Sequence, residues 1–189
     1  MKLPAIIATA LLGLAVISPS LFAQGKDFKD QSLKEKSFKG ENLNGADFSE
    51  STLQHVDFTD ASLKKANFTG AQFKWVTAAR ADFTQSDFRE IATLLGYYEG
   101  ANFSKANFEG VNMQASFYSV TFRGANLKNT KGWSGLGNSD FSGADLRGAN
   151  FRGARIDSSD RFRGAIYDED TSWPDNFDPK AAGAKLAEK

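Results

Sequence analysis

Large apolar residues recur every five positions along most of this chain. In "ANFSKANFEGVNM", which begins at Ala101, each unit reads small residue, Asn, large apolar residue and two polar residues. A five-residue period fits neither an amphipathic helix nor an alternating strand. Repetition at a fixed period is instead typical of a solenoid, in which short identical segments stack on one another.

The repeat can be followed from Phe28 to Tyr167 by taking the large residue as the centre of each unit. Fifteen of the 17 Phe residues are centres. The phase shifts by a one-residue deletion after Met113, passes through the irregular "NTKGWSGLGNS", and gains one residue before Phe162. The predicted centres are Phe28, Leu33, Phe38, Leu43, Phe48, Leu53, Phe58, Leu63, Phe68, Phe73, Ala78, Phe83, Phe88, Thr93, Tyr98, Phe103, Phe108, Met113, Phe117, Phe122, Leu127, Phe141, Leu146, Phe151, Ile156, Phe162 and Tyr167.

Other positions of the unit carry their own signals. Two residues before most centres lies a small or β-branched residue, as at Ala46, Val56 and Ala66, and two residues after many centres lies Gly, as at Gly40 and Gly70. Glycine adopts a left-handed turn conformation at little cost. We therefore expect each unit to form one flat side of a coil, with large and small residues inward and a turn at each corner.

This pattern resembles the A(D/N)LXX motif of pentapeptide-repeat proteins. The resemblance covers about residues 26–170, and "GAIYDEDTSWPDNFDP" is similar to the closing segment of that family. It implies an all-β fold, a right-handed quadrilateral β-helix of about seven coils. Ala78 and Thr93 depart from the motif as weak centres, and Lys26, Gln31, Lys36 and Glu41 place long polar groups where small ones are usual.

Three segments are predicted. Residues 1–23 combine Lys2, an apolar run and "SPSLFAQ", which indicates a secretory signal peptide cleaved after Ala23, with an uncleaved anchor as the alternative. Residues 24–177 form the solenoid, and residues 178–189 a helical tail with Asp178 as N-cap and Pro179 at its first position.

Stacking follows from four units per coil, because residues 20 apart then lie above one another. One predicted column is Phe28, Phe48, Phe68, Phe88 and Phe108. The ends of such a rod need covers against end-to-end association. We expect the polar first coil, Lys26 to Glu41, at one end, and Trp173 with Phe177 at the other.

Composition limits the chemistry. The chain has 23 basic and 23 acidic residues, one histidine and no cysteine, which excludes thiolate nucleophiles, disulfides and histidine clusters. His55 falls on the outside by the repeat. Asp residues one coil apart leave a carbohydrate-active β-helix enzyme as an alternative. We nevertheless expect no enzymatic activity, no cofactor and no metal.

Some proteins with this repeat mimic DNA and bind gyrase, and the resemblance makes this a second alternative. Mimicry needs a strongly negative surface, whereas the mature chain would have 22 basic against 23 acidic residues. It also needs the cytoplasm, which a signal peptide contradicts. We therefore expect no nucleic-acid partner, and mimicry stays an alternative that a cytoplasmic mature chain or a concentrated acidic face would support.

Apolar residues at outward positions are the remaining candidates. The segments "FKWV" and "REIATLLGYYEG" place Trp75, Leu94, Leu95 and Tyr97 in one neighbourhood, with His55 at its edge. Aromatic and leucine anchors of this kind bind protein partners. The alternative is a bulge at Thr93 that turns Leu94 or Leu95 inward. Trp133 has two interpretations, a loop residue that covers the side of the rod or a second contact.

The sequence thus predicts a non-catalytic scaffold that presents a rigid surface to an unidentified protein partner. The compartment would be the periplasm or, by resemblance to cyanobacterial members of the family, the thylakoid lumen. We expect a monomer without stable membrane insertion after signal cleavage.

Overall fold

A computed structural model describes residues 26–188 as a right-handed quadrilateral β-helix. The predicted signal peptide, residues 1–23, lies outside the described residues, as does the start of the predicted 24–177 domain. Short parallel strands on successive coils form three ladders, β1-β2-β3, β4-β5-β6-β7 and β8-β9. The strands are β1 (Ser32–Lys34), β2 (Thr52–Gln54), β3 (Gln72–Lys74), β4 (Val76–Thr77), β5 (Gly96–Tyr97), β6 (Ser116–Tyr118), β7 (Gly135–Gly137), β8 (Ile166–Tyr167) and β9 (Lys185–Leu186).

Backbone bridges between coils give the register. Asp27 pairs with Asp47, 20 residues on, as the repeat predicts. The spacing falls to 19 from Asn102 to Thr121, after the predicted deletion, and rises to 21 from Asp140 to Arg161. The phase changes therefore shorten or lengthen single coils and leave the stacking intact.

Four columns of inward side chains result, one on each side of the rod. Sides 1 and 2 contain eight inward centres each and sides 3 and 4 seven, so residues 26–188 make between seven and eight turns, close to the predicted number. Side 1 is Phe28, Phe48, Phe68, Phe88, Phe108, Leu127, Leu146 and Tyr167; side 2 is Leu33, Leu53, Phe73, Leu94, Met113, Trp133, Phe151 and Trp173; side 3 is Phe38, Phe58, Ala78, Tyr98, Phe117, Leu136 and Ile156; side 4 is Leu43, Leu63, Phe83, Phe103, Phe122, Phe141 and Phe162.

The predicted Phe column on side 1 is confirmed as a continuous stack. Ring centroids lie 4.7 Å apart for Phe28 and Phe48, 5.0 Å for Phe48 and Phe68, and 5.0 Å for Phe68 and Phe88. Rings of neighbouring sides meet edge to face, as Phe68 and Phe83 do at 5.9 Å. Each fully buried Phe should contribute about 1.5–3 kcal/mol through burial, so the columns are the main source of stability.

The outward polar residues build the corners. The Asp or Asn before a centre accepts a hydrogen bond from the N–H two residues later, as Asp47 does from Ser49 at 2.9 Å and Asp57 from Thr59 at 2.8 Å. Partial burial alone would raise the pKa of Asp47, but the hydrogen bonds from Ser49 keep it below its usual value. Recurrent Asp and Asn therefore stabilise turns.

Trp133 is inside the rod, so its prediction as a loop residue on the side or a second contact was wrong. Its side chain is buried, stacks on Phe151 with a centroid distance of 5.0 Å, and donates from Nε1 to the Thr130 hydroxyl at 3.1 Å. The irregular Gly-rich segment has no other large residue before Leu136, and Trp133 fills the vacant level of side 2.

The prediction of a C-terminal helix over residues 178–189 was wrong, because the chain forms only a turn there, at residues 179–183. Asp178 does cap it, accepting hydrogen bonds from the N–H groups of Lys180 and Ala181 at 2.9 and 3.1 Å. Gly183 then adopts a left-handed conformation with φ 85°, and β9 pairs with β8. Pairing with an open strand edge satisfies more backbone groups than a short exposed helix would.

Both predicted end covers are present. Trp173 stacks on Phe151 at 5.1 Å, and Phe177 contacts Phe162 at 5.1 Å. At the other end Lys26 and Glu41 form an ion pair. Among residues 26–188 there is no helix with the length and apolarity needed to cross a membrane.

Phe68→Asp should abolish cooperative unfolding, because it buries a carboxylate between two stacked rings. Thermal unfolding followed by circular dichroism tests this, with the exposed Lys65→Asp as the matched control. A Phe68→Asp protein that melts like the parent would contradict the stacking register.

Candidate binding surface

Large apolar side chains reach solvent at few places on the described rod. Trp75, Tyr97 and Tyr118 are 55%, 56% and 52% exposed, and the other two residues of this kind, Ile166 and Leu186, lie near the C-terminal end. The three aromatic residues belong to successive coils, on side 3 and the corner that precedes it. We call Trp75, Tyr97 and Tyr118 the aromatic corner.

Backbone geometry fixes the first two members of the aromatic corner. Trp75 occupies a corner position with φ 57°, a left-handed conformation that is unfavourable for a bulky residue. Tyr97 follows Gly96, which has φ 155°, and a Cβ there would lie 2.2 Å from the carbonyl oxygen of Val76. Only glycine allows this close approach, so Gly96 sets the path of β5.

Tyr118 packs against β7 at its two glycines, Gly135 and Gly137. Its ring lies across β7, where a Cβ added at Gly135 would be 3.6 Å from the Tyr118 hydroxyl and one at Gly137 would be 2.9 Å from the ring. The absence of side chains at Gly135 and Gly137 gives the ring a flat support. One ring face therefore rests on the sheet and the other is open to solvent.

The aromatic corner surrounds a shallow depression of ≈ 250 Å³. Its remaining walls come from Gln114, Ser116 and Ser134 and from small residues. Among the described residues, no acidic, basic or histidine side chain lines it. This combination of aromatic walls with hydroxyl and amide groups suits an uncharged ligand that has both apolar and hydrogen-bonding faces.

The predicted contact residues differ in their exposure, and they do not all lie at the same depression. Trp75 and Tyr97 are exposed at one depression, as expected. The prediction was wrong for Leu94, which is fully buried. Leu95 is partly buried and lines a separate groove of ≈ 450 Å³. His55 is exposed at the corner one coil before Trp75, and its part in binding stays a prediction.

Leu94 is buried because the chain bulges at Thr93, the alternative that the sequence left open. Thr93 takes the outward position and pairs with Asn112, while the Leu94 N–H donates to the Asn112 carbonyl at 2.9 Å. A leucine in place of a threonine restores the apolar column. The extra residue is recovered at once, since Tyr98 follows only four positions later.

Tyr118 was not identified from the sequence. The deletion after Met113 changes the spacing between coils, so adding 20 to Tyr97 reaches Phe117, an inward residue. The structure instead pairs Tyr97 with Ser116, only 19 residues on, and Tyr118 is the next outward position of the same strand. The shortened coil is the signal that could have found it.

Tyr98 lies beneath the aromatic corner. Its ring stacks on that of Phe117 with a centroid distance of 5.8 Å. Its hydroxyl is buried and has no hydrogen-bond partner among the described residues. Burial raises the pKa of the Tyr98 hydroxyl well above its usual value, so it stays neutral.

Partly buried carboxylates away from the aromatic corner form hydrogen bonds and ion pairs within the rod. Burial alone would raise the pKa of Asp140, but hydrogen bonds from Ser142 and Arg123, the latter at 2.6 Å, hold it below its usual value. Asp160 is the exception, since burial raises its pKa although it accepts backbone N–H groups at both oxygens. Within residues 26–188 no group of three His, Cys, Asp or Glu side chains is arranged to hold a metal ion.

Acidic side chains concentrate on side 1 and the corner that follows it. On the coils from Phe28 to Tyr167, ten acidic residues occupy these positions together with four basic ones, Lys29, Arg89, Lys128 and Arg147. Arg89 and Arg147 pair with Asp87 and Asp145 at 2.6 Å. The acidic residues are Asp27, Asp30, Asp47, Glu50, Asp87, Glu90, Glu109, Asp145, Asp168 and Glu169.

Comparisons with known proteins agree with this architecture. A family model described as "Pentapeptide repeat region" matches residues 22–92. A second, described as "Pentapeptide repeats (8 copies)", matches residues 99–131 and 136–160. Together they match more than half of the chain. No curated protein sequence matches the chain.

Among solved structures, the chain is similar to HetL, a pentapeptide repeat protein involved in heterocyst differentiation regulation from the cyanobacterium Nostoc. The two sequences are 19% identical, the match covers 84% of this chain and 75% of HetL, and the TM-score is 0.56. A pentapeptide repeat protein of the Arabidopsis thaliana thylakoid lumen is 27% identical, with 69% of this chain and 72% of that chain covered and a TM-score of 0.18. The likeness to HetL shows the fold alone.

Trp75→Gly should raise the free energy of unfolding by about 1 kcal/mol, because glycine accepts the left-handed backbone that tryptophan does not. Denaturant unfolding measures this. Phe73→Gly, two residues away but inward, is the contrasting control and should be strongly destabilising. A Trp75→Gly protein less stable than the parent would show that the indole packs on the rod.

Proposed function

Because the chain belongs to the pentapeptide-repeat family, whose fold specifies a shape and not an activity, we propose that it is a non-catalytic binding scaffold. It presents the aromatic corner as a rigid contact surface to a partner in an exported compartment, the periplasm or the thylakoid lumen. One observation carries the proposal: three exposed aromatic side chains on successive coils share one depression.

Rigidity is the property that the fold contributes. Tyr97 and Tyr118 lie on strands of the four-stranded ladder, and each strand is paired with the next coil. Their neighbours inside, Tyr98 and Phe117, are fully buried and stacked on each other. The backbone that carries Tyr97 and Tyr118 is therefore fixed before binding and loses little freedom, which favours affinity.

The state of the carboxylates supports a non-catalytic role. A general acid needs a pKa near the working pH, whereas the pKa values of Asp87, Asp140 and Asp145 lie below their usual range. Although burial raises the pKa of Asp160, backbone N–H groups occupy both of its oxygens. These carboxylates hold turns and coils together.

The compartment is proposed from the N-terminal sequence. Lys2, the apolar run from Ala5 to Ile17 and the small residues before Gln24 have the order of a secretory signal peptide. Localisation of a tagged full-length chain by cell fractionation tests this part separately from binding.

Partner capture tests the contact surface. The mature chain should retain a partner from a periplasmic or lumenal extract, and the double variant Trp75→Gly, Tyr118→Ala should lose it. Both substitutions are at exposed positions, so the variant should fold. Leu186→Ala, which truncates an exposed leucine near the C-terminal end, is the matched control and should retain the partner. Equal capture by all three proteins would contradict the proposal.

DNA mimicry directed at gyrase is a second candidate, because the acidic residues of side 1 outnumber the basic ones by ten to four. The support is weaker than for the scaffold, since arginines neutralise two of the carboxylates and turn hydrogen bonds engage Asp47. The chain would also have to stay in the cytoplasm.

A supercoiling assay with purified DNA gyrase decides this candidate. If the mature chain acts as a mimic, it should inhibit supercoiling, and the double variant Glu50→Lys, Glu90→Lys should inhibit less. Glu35→Lys, Glu99→Lys provides the same charge change away from side 1. No inhibition, or equal inhibition by both variants, would rule out mimicry through side 1.

A further inference from the structure

We infer that the depression at the aromatic corner binds a neutral sugar ring of an oligosaccharide. This rests on the proposed function, because it names the chemistry that the same surface recognises. The ligand would lie against Trp75, Tyr97 and Tyr118 and bond to the polar groups between them.

The charge of the lining is the first argument. The depression has only uncharged side chains, whereas three other depressions on the described rod include charged ones. Lys74 and Glu90 line the groove beside Leu95, and Arg147 lines two depressions near the C-terminal end. A charged ligand would gain no ion pair at the aromatic corner, so a neutral ligand fits best.

Ring geometry is the second argument. Aromatic residues of the core contact one another with centroid distances between 4.5 and 6.5 Å. Trp75, Tyr97 and Tyr118 make no contact with another aromatic ring of the described chain, so the outer face of Tyr118 and the exposed parts of the Trp75 and Tyr97 rings are available. These faces are electron-rich, and the C–H groups on one face of a pyranose ring carry the complementary partial charge.

Hydrogen-bonding capacity is the third argument. Gln114, Ser116 and Ser134 line the depression, and no hydrogen bond within residues 26–188 engages their side chains. An amide and two hydroxyls supply both donors and acceptors, which match the hydroxyl groups of a sugar. An aliphatic protein anchor would leave these groups unpaired.

Size is the fourth argument, and it favours a sugar over a folded protein. A stable protein interface buries about 800 Å² on each partner, more than three half-exposed side chains provide. A depression of ≈ 250 Å³ is shallow and suits one ring. Since coils are about 4.8 Å apart, the three aromatic residues extend along the axis far enough to contact a second sugar unit.

Titration with a defined panel tests the inference. The probes are cellotetraose, chitotetraose and maltotetraose, with tetragalacturonate as the acidic comparison. Trp75 is well exposed, whereas Trp133 is buried and Trp173 partly buried, so a change in tryptophan emission reports on the aromatic corner. Saturation-transfer NMR gives a readout that does not depend on Trp75.

At least one neutral tetrasaccharide should bind, and tetragalacturonate should bind more weakly. Tyr118→Ala should weaken binding about tenfold through loss of an aromatic contact, and Trp75→Gly should do the same in the NMR assay. Leu186→Ala should bind as the parent does. Circular dichroism melts confirm that all variants are folded.

Three results would overturn the inference: no binding by any neutral probe, binding that is unchanged by both aromatic substitutions, or equal binding of tetragalacturonate. Capture of a protein that depends on Trp75 and Tyr118, without sugar binding, would overturn the sugar assignment and leave the scaffold intact. Sugar binding without a captured protein would support the sugar assignment and remove the expectation of a protein partner.

Discussion

The structure depends on one constraint, that each inward side chain lies directly on its equivalent one coil away. The stack from Phe28 to Phe108 satisfies it with centroid distances between 4.5 and 5.0 Å, which is close to the strand spacing of about 4.8 Å in a sheet. A ring fills that spacing when it lies flat on the next. Phe at the centres, small residues before them and polar corners all follow from this requirement.

Much of the fold could be predicted because the constraint is written in the sequence with a constant period. Adding 20 to a position finds its neighbour as far as Phe108 on side 1. The period does not show how the chain behaves where it is broken. At Thr93 the energy of filling the column outweighs regular spacing, so Leu94 turns inward and the outward leucine of the predicted surface is lost. Trp133 enters the core for the same reason, since its level has no other large residue.

The candidate surface lies at these irregular coils, and this explains why the sequence indicated only part of it. Trp75 and Tyr97 could be found from their outward positions. Tyr118 was missed, because adding 20 to a position no longer finds its neighbour across the deletion after Met113. Its supporting glycines also belong to the segment without a clear repeat. Three-dimensional pairing brings together residues whose spacing in the sequence is irregular.

Trp75 combines a left-handed backbone with an exposed indole. The other left-handed positions of the described rod carry glycine or polar residues, whereas Trp75 keeps a bulky ring in this conformation. Such a position lowers stability by about 1–2 kcal/mol, and the exposed indole gains no ring contact within the described chain to offset it. Thirteen other non-glycine residues of the described rod share this conformation, so the backbone alone does not mark a site of function. The binding role proposed for Trp75 therefore follows from its exposure and its place in the depression, and a ligand that covers the indole would supply the contacts that it lacks.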